Sequence, residues 1–67
     1  MNDLAKTVDV FLYSKQIMKK DVAEKIGLSK SNFHSLLNKS NFTIDDANKI
    51  LGAVGYKVKF EIVPDTD

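Results

Sequence analysis

Apolar residues near the start of the chain recur at helical spacing. Leu4, Val8, Phe11 and Leu12 fall at i, i+4, i+7 and i+8, the stripe of an amphipathic helix. With Asn2 or Asp3 available as N-cap, the spacing predicts a first helix over residues 3–15. Lys6 and Asp9 lie on its polar side. Val10 and Tyr13 point away from the stripe and leave a second, smaller apolar spot for the C-terminal segment or a second subunit to cover. A short second helix is expected over residues 19–26, with Val22, Ala23 and Ile26 inward. It stops at Gly27, which accepts the left-handed backbone of a helix end. Ser29 then caps a third helix whose inward residues are Phe33, Leu36 and Leu37. Thr43 caps a fourth, with Asp46 placed as a capping-box acid and Ala47, Ile50, Leu51 and Val54 facing inward until Gly55.

After Gly55 the period falls to two. Tyr56, Val58, Phe60 and Ile62 alternate with Lys57, Lys59, Glu61 and Val63 ahead of Pro64, which reads as one strand over 56–63. A lone strand in a helical chain leaves its backbone groups unpaired. It can pair with the same strand of a second copy about a two-fold axis. Alternatively it folds back on its own chain, against residues between helices or the Val10 and Tyr13 spot. Pairing in a homodimer is the expectation. A register centred on Phe60 sets Lys59 opposite Glu61 and Val58 opposite Ile62, whereas centring on Lys59 opposes two lysines. The first register is expected, with Tyr56, Val58, Lys59, Phe60, Glu61 and Ile62 at the dimer interface. The expected fold class is mostly α: a four-helix bundle followed by one C-terminal β-strand. One domain spans residues 1–63, and 64–67 form a flexible tail.

Composition narrows the function. At 67 residues the chain is one domain near the size where burial barely outweighs chain entropy. It has no cysteine and a single histidine, His34, so neither disulfides nor a zinc centre can staple it. No metal or cofactor is expected. No run approaches the roughly 18 apolar residues of a membrane span, and Asp3, Lys6 and Asp9 stand where a signal peptide would be apolar. The expectation is a cytoplasmic protein that does not engage membranes. The net charge of +1 hides a segregation: residues 15–39 carry +4 and the rest of the chain −3. Such a basic segment suits a nucleic-acid backbone, although lysines also decorate ordinary solvated helices. All ten basic residues are lysine, so the bidentate arginine grip on guanine is absent.

A helix, a short turn with glycine and a capped helix make a helix-turn-helix unit, whose second helix can enter the major groove. Here the sequence resembles the XRE family, the Cro and phage-repressor type of helix-turn-helix domain. The resemblance rests on Ala23, small where two helices cross, on Gly27 at the turn, and on Phe33 and Leu36 facing inward from the third helix. It runs through "DVAEKIGLS" (21–29) and "FTIDDANKILGAVG" (42–55), covering roughly residues 4–55. Met18 stands where the family usually has a capping Ser or Thr, and Phe33 where a β-branched residue is common. The strand takes the place of the family's frequent fifth helix, as in small Cro-like dimers.

The resemblance implies a recognition helix at about residues 29–38. With Phe33, Leu36 and Leu37 inward, Ser31, Ser35 and Asn38 lie almost opposite, flanked by Asn32 and His34, and Lys30 projects from the first turn. Lys30, Ser31, Asn32, His34 and Ser35 are the candidates for base edges: Asn suits adenine, Lys can donate to guanine, and Ser is permissive. Lys19, Lys20, Asn38 and Lys39 are the candidates for phosphates. His34 donates best when protonated, so its contact is expected to weaken above pH about 6.5.

Enzymatic readings lack convergent groups. Ser31, His34 and Ser35 share one helix, Asp45 and Asp46 are adjacent at a helix start, and Gly27, Gly52 and Gly55 are isolated. The functional expectation is therefore a non-enzymatic, sequence-specific regulator that binds an inverted repeat in double-stranded DNA as a homodimer. The family resemblance adds repression and a bacterial or phage origin. The alternative is a protein-interaction module, such as an antitoxin that masks a toxin, with DNA binding secondary.

Overall fold

The computed structural model describes residues 1–59 and 61–65. Among them are four helices, α1 Asp3–Ser14, α2 Lys19–Lys25, α3 Lys30–Leu37 and α4 Ile44–Gly52. Their starts follow local chemistry. Asn2 caps α1 by accepting from the Ala5 N–H at 2.8 Å, and its Nδ2 donates to the Phe42 carbonyl at 3.0 Å. The cap thus ties α1 to the loop before α4. Ser29 caps α3 through the Asn32 N–H at 3.1 Å. Thr43 and Asp46 form the expected capping box on α4, each side chain accepting from the other's backbone N–H. Met18 begins α2 with no side-chain cap.

Three helix ends share one device. The Leu28 N–H reaches the Ala23 carbonyl at 2.9 Å while Gly27 bonds Glu24 at 3.2 Å, a Schellman closure with Gly27 at φ +75°. Tyr56 returns to Leu51 at 3.0 Å around Gly55 at φ +82°. After α1 the same pattern links Ile17 to Leu12 at 2.9 Å, but the left-handed residue is Gln16, at φ +59°. In each case the residue after the reversal is large and apolar, and Ile17 and Leu28 pack onto the core.

The core joins Val8 and Leu12 of α1, Val22 and Ala23 of α2, Phe33 and Leu37 of α3, and Ala47, Ile50 and Leu51 of α4. Ala5 and Phe42 are buried with them; Phe42 comes from the α3–α4 loop, where a helical period gives no signal. Leu4, Phe11, Ile26, Leu36 and Val54 are only partly buried. Val10 and Tyr13 stay outside the stripe, 55% and 84% exposed.

The alternation over 56–63 produces no strand among the described residues. A ladder needs a second strand, and the described residues supply none. Tyr56 instead meets the Phe11 ring edge-on, centroids 4.8 Å apart, and the Val58 N–H donates to Asn48 Oδ1 at 2.6 Å. Phe60, at the centre of the expected register, lies outside the described residues, as do Thr66 and Asp67 of the expected tail.

Candidate nucleic-acid interface

The turn between α2 and α3 fixes the relation of the two helices. Gly27 reverses the chain, Leu28 anchors it, and Ser29 restarts it as α3. Ala23, 3% exposed, offers only a methyl to α3. A shallow groove results, with an apolar floor of Ala23, Phe33 and Leu37.

Six of the nine side chains singled out for DNA contact line this groove: Lys19 and Lys20 on one wall, and Lys30, Ser31, His34 and Asn38 on the other. Asn32, Ser35 and Lys39 lie outside it. Asn32 and Ser35 are exposed on α3, whereas Lys39 follows the helix and is half-buried. No carboxylate occurs anywhere in α3, so its outer surface does not repel an anion. Because the Ser29 hydroxyl takes only the Asn32 N–H, the first amides of the helix still point outward, the arrangement that favours phosphate.

The lysines differ in their commitments. Lys19, half exposed, pairs with the partly buried carboxylate of Asp9 in α1. Lys39 donates to Asp46 Oδ2 at 3.1 Å. The Thr43 backbone N–H and then this lysine hold the Asp46 carboxyl below its usual range. Lys20 and Lys30 have no acidic partner among the described residues.

Asn38 closes α3 by folding back. Its Nδ2 donates to the His34 carbonyl at 2.8 Å and lies 3.3 Å from His34 Nε2. This i, i+4 pairing was missed from sequence, where Asn38 was a candidate phosphate contact, although Asn one turn after His at a helix end was the available signal.

The sequence matches the family described as Cro/C1-type HTH DNA-binding domain over residues 7–59, most of the chain. The protein belongs to that family, and with it to helix-turn-helix DNA-binding regulators, a class that is typically not enzymatic. No curated protein and no solved structure matches the chain. Among the described residues no helix is long and apolar enough to cross a membrane.

Proposed function

We propose that this protein is a sequence-specific repressor that binds an inverted-repeat operator as a homodimer, one α3 per half-site, and acts by occupying a promoter. The observation that carries this is the α2–α3 groove, which collects lysine, serine, histidine and asparagine side chains beside a helix without acids. Lys30, Ser31, Asn32, His34 and Ser35 meet base edges, while Lys19, Lys20 and Lys39 hold phosphates and set register. To reach a phosphate Lys19 gives up its pair with the partly buried Asp9 carboxylate.

The C-terminal segment supports dimerisation through residues 56–63. Tyr56 and Val58 face the helical body, and Asn48 takes the Val58 N–H on one edge. Successive backbone N–H groups of an extended chain point to alternate edges. In a strand over 56–63 the groups of Lys57, Lys59 and Glu61 fall on the edge opposite Asn48, where a second copy can pair. With the two-fold at Phe60, Lys59 of one copy exchanges hydrogen bonds with Glu61 of the other, and Val58 faces Ile62. Exposed Ile62, 88% accessible in the single chain, gains cover. The test is sedimentation of Phe60→Lys beside wild type: a monomeric, folded variant is expected, and an unchanged dimer would refute strand pairing.

A second reading follows from the apolar surface of Val10, Tyr13 and Met18, each more than half exposed. It lies at the α1–α2 junction and suits a protein partner such as a toxin. Tyr13→Ser would abolish such binding while leaving operator affinity intact.

A further inference from the structure

Asn2 joins the start of α1 to the loop that follows α3. Its Oδ1 accepts from the Ala5 N–H at 2.8 Å, while its Nδ2 donates to the Phe42 carbonyl at 3.0 Å and, at a longer 3.5 Å, to that of Ser40. Because a backbone N–H donates and a carbonyl accepts, the orientation of the amide is fixed from both sides. Among the described residues no other group bonds either carbonyl. The side chain therefore does two separable things. Capping needs an acceptor alone, which Ser, Thr or Asp supplies as well as Asn. The bridge to the loop needs a separate donor atom beside that acceptor, which of these four side chains only Asn has.

The two ends of α3 are held differently. Its start is set by the turn through Gly27, Leu28 and Ser29, whereas its end runs from buried Leu37 into residues 38–42, which return to the core at buried Phe42. Lys39 lies in this stretch. We propose that Asn2 is a positioning residue for DNA binding: it holds the 38–42 loop, and with it the end of α3, where Lys39 meets a phosphate, an inference that rests on the DNA-binding role proposed above. Asn2 is itself part-buried and does not line the α2–α3 groove, so it acts through the loop and not on DNA. The other polar tie of the loop is the bond from Lys39 to Asp46 at 3.1 Å. That tie opens when Lys39 turns to a phosphate, and the Asn2 bridge is then the polar anchor that remains. A displacement of about 1 Å is enough to take an ammonium out of hydrogen-bond range, so losing the bridge loses the contact.

Asn2→Ser keeps the cap and removes the bridge. As a control, Thr7→Gly weakens α1 at an exposed position without touching the loop. Both variants, confirmed folded by circular dichroism, are titrated over a range of salt with the duplex that wild type selects from random DNA. Asn2→Ser should bind on the order of 10-fold more weakly and lower the slope of log affinity against log salt by about 2 per dimer, one Lys39 phosphate in each half-site. Thr7→Gly should keep the wild-type slope. A wild-type slope in Asn2→Ser, whatever its affinity, would overturn the positioning role, because a smaller folded fraction does not change the number of phosphates contacted. Nitrogen-15 relaxation of the wild type needs no variant to fold. Backbone order parameters near the rigid value of about 0.85 are expected at residues 39–42, and values below about 0.6 would overturn the inference. Wild type that selects no duplex would refute the DNA-binding reading itself.

Discussion

Gly27→Ala and Gly52→Ala are the same chemical change with opposite expected outcomes. A Cβ at either position meets no atom within 4 Å, so packing contributes to neither. Backbone conformation alone decides the sign. Gly27 sits at φ +75° in the turn before α3, where an L side chain costs about 1–2 kcal/mol. The reduced freedom of alanine in the unfolded chain returns roughly 0.4–1 kcal/mol of that, leaving a net loss of about 1 kcal/mol. Gly52 lies in α4 with right-handed backbone continuing through Ala53, and alanine there gains about 0.5–1 kcal/mol. For a domain of this size each kcal/mol moves Tm by about 4–8 °C, so the two variants should melt roughly 10 °C apart on either side of wild type. Thermal denaturation followed by circular dichroism, at one fixed protein concentration to hold any dimerisation constant, measures this. Two shifts of the same sign would refute the claim that the left-handed turn, and not packing, requires glycine ahead of α3.

Gln16→Gly relieves a left-handed backbone at φ +59° and should raise stability by about 0.5–1 kcal/mol in urea titrations. Asp46 has its carboxyl pKa lowered in the folded chain, first by the Thr43 N–H and then by Lys39. Its contribution is therefore complete above the unfolded value of about 3.9 and is lost as pH falls through the lower folded value. Asp46→Asn should flatten the acid limb of a pH–stability profile, and an unchanged limb would contradict the capping role. Asn48→Ala removes the acceptor of the Val58 N–H and should weaken dimerisation up to about 10-fold in sedimentation equilibrium, corresponding to one hydrogen bond. Lys20→Ala should lower the slope of log affinity against log salt by about 2 per dimer, one phosphate in each half-site.

Local signals in the sequence accounted for most of the helical frame. Asn2, Ser29, Thr43 and Asp46 cap where short-range chemistry placed them, and Gly27 and Gly55 reverse the chain as left-handed residues. What stayed hidden depends on contacts distant in sequence or on residues doing uncommon work. Gln16 takes a conformation that glycine marks elsewhere, so composition gave no warning. Phe42 is core by tertiary packing from a loop. Asn48, spaced like any polar face residue of α4, meets a backbone amide ten positions on. The exposed polar side of α3 was legible as a polar run, but the bond that Asn38 makes back to the His34 carbonyl within it was not. The period of two after Gly55 identified a chain segment with two distinct faces, and Tyr56 and Val58 do share the body side.

Selection of bound sequences from random duplex DNA, followed by titration of the winner at two salt concentrations, tests the central claim most directly. An inverted repeat whose affinity falls steeply with salt is predicted. Recovery of no preferred sequence, or weak binding indifferent to both sequence and salt, would contradict it.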